Sequence, residues 1–195
     1  MRREELFHAI RAACAITGKH EVIVVGSQSI LGTYAEDELP AEATISREID
    51  VLPIDDDPRV VEELADAIEG VAGELSPFEQ LHGFFMDGVD ETTAVLPAGW
   101  RGRLVRVAGP ATTLAGTSLE NIGWCLSPED LCVAKLCANR DKDRAFVGAL
   151  LDAGLVDPET VAERLQTLEV EHDGARRRAL SFLQRWLTGS PRQEG

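Results

Sequence analysis

The sequence predicts an α+β chain, in which a sheet flanked by helices is followed by a C-terminal helical bundle. Three observations predict it. The run Val22-Ile23-Val24-Val25 breaks at Gly26-Ser27 and reads as a buried strand delivered onto a helix start. Short extended runs dominate from Leu75 to Val107. Helix-start signals, Ser127-Pro128 and Asp157-Pro158, then take over. The length of 195 residues suits a single domain of ~100–200 residues, expected here as a core over residues 1–126 with a helical region over 127–190 packed on it.

From the N-terminus, Leu6, Ile10, Ala13 and Cys14 recur near helical spacing between Arg3 and Thr17, with Gly18 as a C-terminal stop. The strand at Val22–Val25 follows, then a short helix-like piece from Gln28 to Tyr34. Ala35–Thr44, carrying Glu36-Asp37-Glu38-Leu39-Pro40, reads as an exposed acidic loop. A second strand-like run spans Ser46–Pro53. Because a proline closes it, Asp55, Asp56 and Asp57 are assigned to the start of an amphipathic helix, Arg59–Glu69, where acidic residues are favoured. Phe84–Met86, Thr92–Leu96 and Leu104–Val107 read as strands with a turn at Pro97–Trp100, most simply an antiparallel continuation of the sheet. Gly109–Asn121 reads as loop, and Gly123–Leu126 as the lead-in to a helix over Pro128–Ala138. A charge cluster, Asn139–Arg144, joins that helix to the next, Ala145–Ala153. Further helices start at Asp157 and span Asp173–Leu187, and Ser190–Gly195 reads as a frayed tail.

The net charge of −15 repels polyanions unless basic residues gather locally. Arg176, Arg177, Arg178 and Arg185 are one such group, but three consecutive arginines fan around a helix, so a solvated helix end is the reading adopted. A hydrophobic fraction of 44% is enough for a core. No run approaches the ~18 apolar residues of a membrane span, and Met1-Arg2-Arg3-Glu4-Glu5 lacks a signal-peptide apolar stretch. A cytoplasmic chain with no membrane partner is expected. Cys14, Cys125, Cys132 and Cys137 form no C-x-x-C pair, which argues against a zinc site or redox dithiol and for small buried apolar groups.

The chemistry-bearing stretch is Glu21–Pro53. Backbone N–H groups at a helix start such as Gly26-Ser27 point outward unpaired and favour an anion such as phosphate. Glu48 and Asp50 sit two apart in a strand, so their carboxylates share a face while Ile49 and Val51 point to the other. Such a pair suits Mg²⁺, which takes one or two carboxylates together with substrate phosphates. Asp87, Asp90 and Glu91 fall where a third carboxylate could reach the metal, although turn chemistry explains Asp87-Gly88 and Asp90 equally well and no third sheet carboxylate is evident. Lys135, alone in an apolar helical stretch, either snorkels to solvent or aims at an anion.

Three separated motifs, Gly26-Ser27 after a buried strand, Ser46-x-Glu48-x-Asp50, and Lys135-x4-Arg140-x-Lys142-Asp143, together resemble the nucleotidyltransferases of the DNA polymerase β superfamily. The resemblance runs from Val22 to Phe146 and is nearest to a bacterial branch related to the abortive-infection AbiEii toxins and the mycobacterial MenT toxins. Glu48 stands where aspartate is commoner. The resemblance implies a nucleotidyltransferase-type mixed sheet, with Mg²⁺ held by Glu48 and Asp50 and a catalytic set of Asp50, Glu48, Lys135 and Asp143. It further implies nucleotide contacts from Gly26, Ser27, Ser46, Lys135 and Arg140. The reaction implied is transfer of a nucleoside monophosphate from a nucleoside triphosphate to an RNA or protein acceptor, toxin-like, with a possible cognate antitoxin or toxin partner. Two other readings stand beside it: a catalytically weak nucleotide-binding antitoxin or partner-binding domain, and a small-molecule, aminoglycoside-like nucleotidyltransferase. The negative charge favours a protein acceptor over tRNA.

Overall fold

In a computed structural model of the chain, the structure describes residues 1–114 and 119–188. Five strands, β1 (Glu21–Val24), β2 (Glu48–Pro53), β3 (Phe85–Gly88), β4 (Val105–Val107) and β5 (Ile122–Cys125), form one mixed sheet in the order β3-β2-β1-β5-β4. β1 is central and its Val22, Ile23 and Val24 are buried. Being covered on both faces, it shows the continuous apolar run of an interior strand and not an alternating one. It pairs antiparallel with β2, Val24 opposite Val51, and parallel with β5, Val24 opposite Cys125. β3 lies parallel to β2, with Asp50 opposite Asp87, and β4 lies antiparallel to β5.

Helix α1 (Arg3–Thr17) ends where Gly18 adopts a left-handed φ of 68°, and it crosses the sheet so closely that a Cβ on Gly123 would lie 2.3 Å from Ile10 Cδ1. A short helix α2 (Ala41–Thr44) precedes β2, and α3 (Pro58–Ala72) starts on Asp57, whose carboxylate accepts the Arg59 N–H at 2.9 Å. α3 packs against α1, β2 and β3. A further short helix, α4 (Pro77–His82), is capped by Ser76. The C-terminal helices are α5 (Pro128–Ala138), α6 (Asp141–Asp152), α7 (Pro158–Leu165) and α8 (Asp173–Leu187). They enclose Leu131, Leu136, Val147, Leu150, Val161, Leu165 and Leu183. α5 also meets the 3-10 turn after β1, and α6 meets α2. Asp130, fully buried at the start of α5, accepts from Arg103 Nε at 2.9 Å and from Ser127 Oγ at 3.0 Å, and pairs with Arg164 at 3.1 Å. That one carboxylate ties the segment before β4 and helix α7 to α5.

Several expectations change. The piece after Gly26 is a 3-10 helix, Ser27–Gly32, and not a run to Tyr34. Ala35–Thr44 contains helix α2. Thr92–Leu96 forms no strand: Asp90 accepts the Thr92 N–H at 2.7 Å and caps a 3-10 turn, Glu91–Thr93. The sheet does not continue antiparallel through β3, because α3 returns the chain to the same end and makes the β2–β3 connection a parallel crossover. Gly123–Leu126 is more than a lead-in, since β5 is the second neighbour of β1. Asp141–Arg144, read as a joint, is the first turn of α6. Part of the loop expected over Gly109–Asn121, and the tail expected at Ser190–Gly195, lie outside the described residues. Among the described residues no helix is long and apolar enough to cross a membrane. The four cysteines are free and buried, and burial pushes the Cys125 thiol up to about 12.

Candidate active site

Glu48 and Asp50 project from β2 to one side while Ile49 and Val51 are buried on the other. Asp87 comes from the neighbouring position on β3. One carboxylate oxygen from each of Glu48, Asp50 and Asp87 lies within 4.8 Å of the other two. The third carboxylate, which the sequence did not make evident, is therefore Asp87. Its signal was present in the alternation Phe85-Met86-Asp87, with Met86 buried, but Asp87-Gly88 resembles a turn. Gly88 is in the strand for another reason. A Cβ there would lie 1.9 Å from the Ala65 carbonyl oxygen, so glycine admits α3 against β3.

The three acids repel one another. Burial and the Asp87 charge both raise the Asp50 carboxyl above the ordinary carboxylate range, an effect that Lys135 and Arg140 partly offset. Asp87 is pushed up to about 6 by burial, by a hydrogen bond with Glu48 and by the Glu48 charge. Gly26 faces them across the β1–β2 pair. A Cβ on Gly26 would lie 1.5 Å from Asp50 Oδ2, so the glycine that opens the turn also makes room for the acid. Ser27 follows as the first residue of the 3-10 helix. The Ser46 hydroxyl accepts the Glu48 N–H at 3.3 Å and thereby fixes the start of β2.

The opposite wall is the corner between α5 and α6. Asn139 turns it with a left-handed φ of 56°, a conformation asparagine tolerates better than most residues. This corner sets the last turn of α5 against the first turn of α6. Lys135 is thus buried, 8% exposed, with Nζ donating to Asp143 Oδ1 at 3.2 Å and lying 4.8 Å from the centre of the Phe146 ring. Of the two possibilities for Lys135, snorkelling is the one that fails. Arg140 Nε donates to Asp143 Oδ2 at 2.6 Å, and the Arg140 N–H reaches the same oxygen at 3.3 Å, as a residue in the first helical turn can accept. Burial raises the Asp143 carboxyl, but the hydrogen bonds and charges of Arg140 and Lys135 outweigh it and hold it below the usual range.

A cleft of about 630 Å³ joins these parts. Gly26, Ser27, Ser46, Glu48, Asp50, Lys135, Arg140 and Asp143 all line it, as do Asp87 and Lys142. With three carboxylates at one wall and cations at the other, the cleft can hold a divalent metal and a polyphosphate together.

A family model described as a nucleotidyltransferase of unknown function (DUF6036) matches residues 4–187. The chain belongs to that family. No curated protein and no solved structure matches the chain. For a nucleotidyltransferase the acidic trio is a fitting cation site. All its donors are oxygens, they converge from two adjacent strands, and their mutual repulsion is what a divalent ion relieves.

Proposed function

We propose that this nucleotidyltransferase uses Mg²⁺ to move the nucleoside monophosphate of a nucleoside triphosphate onto an acceptor hydroxyl. The observation that carries the reading is that a single cleft is walled by three convergent carboxylates and a buried, acid-paired lysine. In the step, the acceptor oxygen bonds to the α-phosphorus, the bond from that phosphorus to the α,β-bridging oxygen breaks, and pyrophosphate leaves with the bonding pair. Mg²⁺ held by Glu48, Asp50 and Asp87 would offset triphosphate charge and lower the pKa of the attacking hydroxyl. Asp87, the third carboxylate of the trio, takes the hydroxyl proton. The Ser27 backbone N–H and hydroxyl hold phosphate oxygens, and Gly26 lets them come close. Ser46 bounds the nucleotide and steadies Glu48. Lys135, oriented by Asp143, meets the charge that develops on the departing pyrophosphate, and Arg140 adds to it from the cleft rim.

The catalytically weak alternative rests on two departures, Glu48 in place of the commoner aspartate and a missing third carboxylate, and Asp87 opposite Asp50 answers the second of them. The toxin-like form of the reading, with a cognate antitoxin or toxin as partner, comes from the motif resemblance alone. The test is incubation with each α-labelled nucleoside triphosphate and Mg²⁺ in the presence of total tRNA or of lysate protein. Label transfer and pyrophosphate release are expected in the wild type and are lost in Asp50→Ala, which melts at an unchanged temperature. Undiminished pyrophosphate release from that variant would refute the assignment.

A further inference from the structure

Four aromatic rings lie in contact where α1 meets the segment from α4 to β3, and the proposed reaction uses none of them. His8 comes from α1, Phe78 and His82 from α4, and Phe84 from the position before β3. The two imidazoles have their centres 4.2 Å apart, tilted at 56°. Phe78 lies 5.6 Å from His8 and 4.5 Å from His82, and Phe84 lies 5.8 Å and 6.3 Å from the same two rings. Phe84 is buried and both imidazoles are half-buried.

Such a cluster accepts two neutral imidazoles, or one imidazolium beside the ring electrons of its neighbours. Two imidazolium rings at this separation repel, and partial burial strengthens the repulsion because little water lies between them. The surrounding charges do not offset it. Burial, then the His82 charge, then Arg11 hold the His8 imidazole below its ordinary pKa of 6.5. On α1, Glu4 is exposed and Glu5 pairs with Arg2 at 3.8 Å. On α4, Glu79 lies one turn before His82, but it accepts the Leu75 N–H at 2.7 Å and pairs with Arg47 at 3.6 Å. α3 packs on both helices, turning Ala65, Ile68 and Ala72 inward and leaving Arg59, Glu62, Glu63, Asp66 and Glu69 exposed. The turn Pro110–Thr112, also on α1, has no ionisable side chain, and Glu21 of β1 accepts from Trp124 Nε1 at 2.8 Å. β2 and β3 direct Glu48, Asp50 and Asp87 into the cleft.

The end of α4 is tied to the acidic trio. Arg47, the residue before Glu48, donates from Nε to the Gly83 carbonyl at 2.7 Å, and its own carbonyl accepts the Phe85 N–H at 3.0 Å. The residues that close α4 therefore hold the starts of β2 and β3, the strands that carry Glu48 and Asp87.

We propose that the four rings are a pH-sensitive latch, which holds α4 on α1 while the imidazoles are neutral and releases it when His8 and His82 are both protonated, loosening the starts of β2 and β3. An imidazole held below its unfolded-state pKa contributes stability that is present at neutral pH and is lost as pH falls below about 6.5. The consequence for catalysis rests on the transferase reading above, whereas the release of α4 does not.

The test is hydrogen–deuterium exchange of the full-length protein, read by mass spectrometry over residues 76–84 at about pH 7.5 and about pH 5 and corrected for the intrinsic pH dependence of exchange. About tenfold more opening of this segment is expected at the lower pH, with α5 unchanged. His8→Gln, His82→Gln and their double variant remove the protons, and His82→Phe keeps a ring in place; melting temperatures at neutral pH show which of them are folded. Because the repulsion needs both protons, each single variant is expected to remove as much of the pH response as the double variant does. The same variants are expected to bind Mn²⁺ about threefold more tightly than wild type at the lower pH and equally at the higher one. Equal protection of residues 76–84 at both pH values in wild type, a response that survives in the double variant, or Mn²⁺ binding indifferent to the variants overturns the proposal. If α4 responds as expected but wild type releases no pyrophosphate at either pH, the transferase reading fails and the latch stands. If pyrophosphate release is normal and α4 does not respond, the latch fails and the transferase stands.

Discussion

Asp143 has two cationic partners and Lys135 has one acid, and the imbalance decides what each substitution costs. Asp143→Ala leaves a buried lysine amine without its hydrogen-bonded acid, with the Phe146 ring 4.8 Å away and the Asp50 charge acting from across the cleft. Stranding one member of a buried pair costs on the order of 3 kcal/mol. Lys135→Met, by contrast, leaves Asp143 still gripped by Arg140 at 2.6 Å, so its stability falls less. Urea unfolding of the two variants is expected to rank Asp143→Ala as the weaker, and Lys135→Met as near wild type in stability yet without pyrophosphate release. The reverse order in the urea series would show that the pair does not hold the corner. The roles of neighbouring acids also separate at this scale. Asp90 serves the backbone by capping Thr92, whereas Asp87, three residues earlier, lies beside Asp50.

At the scale of elements, β3 decides whether the triad exists. It carries Asp87 to the register position opposite Asp50, and α3 holds it there through the close approach at Gly88. Gly88→Ala must move helix backbone, which overpacking data put at about 1–3 kcal/mol. Because the displaced strand carries Asp87, the same variant is expected to weaken Mn²⁺ binding measured by calorimetry, while Gly70→Ala, inside α3 with open space around it, leaves that binding unchanged and raises stability by ~0.5–1 kcal/mol. Elements with a strong local signal were legible in the sequence. α5 runs from its Ser127-Pro128 start to Ala138, and α8 spans Asp173–Leu187, both at the expected residues. β5 was not legible as a strand, because its four residues include a glycine placed to admit Ile10, a demand that comes from α1 and not from the strand itself. Thr92–Leu96 shows the opposite failure: β-branched residues next to Asp90 take a turn, because the aspartate caps the Thr92 N–H and strand propensity without strand pairing does not outweigh that bond. The cleft residues were readable as separate motifs, but their convergence depends on strand order and on the left-handed corner at Asn139, neither of which periodicity contains.

For the whole molecule, pH links the acidic site to folding. Asp50 and Asp87 have folded-state pKa values raised above the ordinary 3.8, Asp87 to about 6. The folded chain then binds protons more tightly than the unfolded one, so these two groups favour folding at low pH and that contribution is lost as pH rises from about 4 through about 6. A divalent cation needs the same carboxylates ionised, so its stabilisation moves the other way. Thermal melts with and without Mg²⁺ are expected to show a larger cation-induced rise above this window than below it, and a much smaller difference in Asp87→Asn. A cation effect independent of pH would place the ion elsewhere. The contact between Gly26 and Asp50 has a last consequence. With no atom's width to spare between them, the reactant anchor and the ion grip proposed above cannot be adjusted separately, so any change that slides the first two strands past each other is expected to remove both together. Inheritance of this chemistry is therefore inheritance of a single alignment.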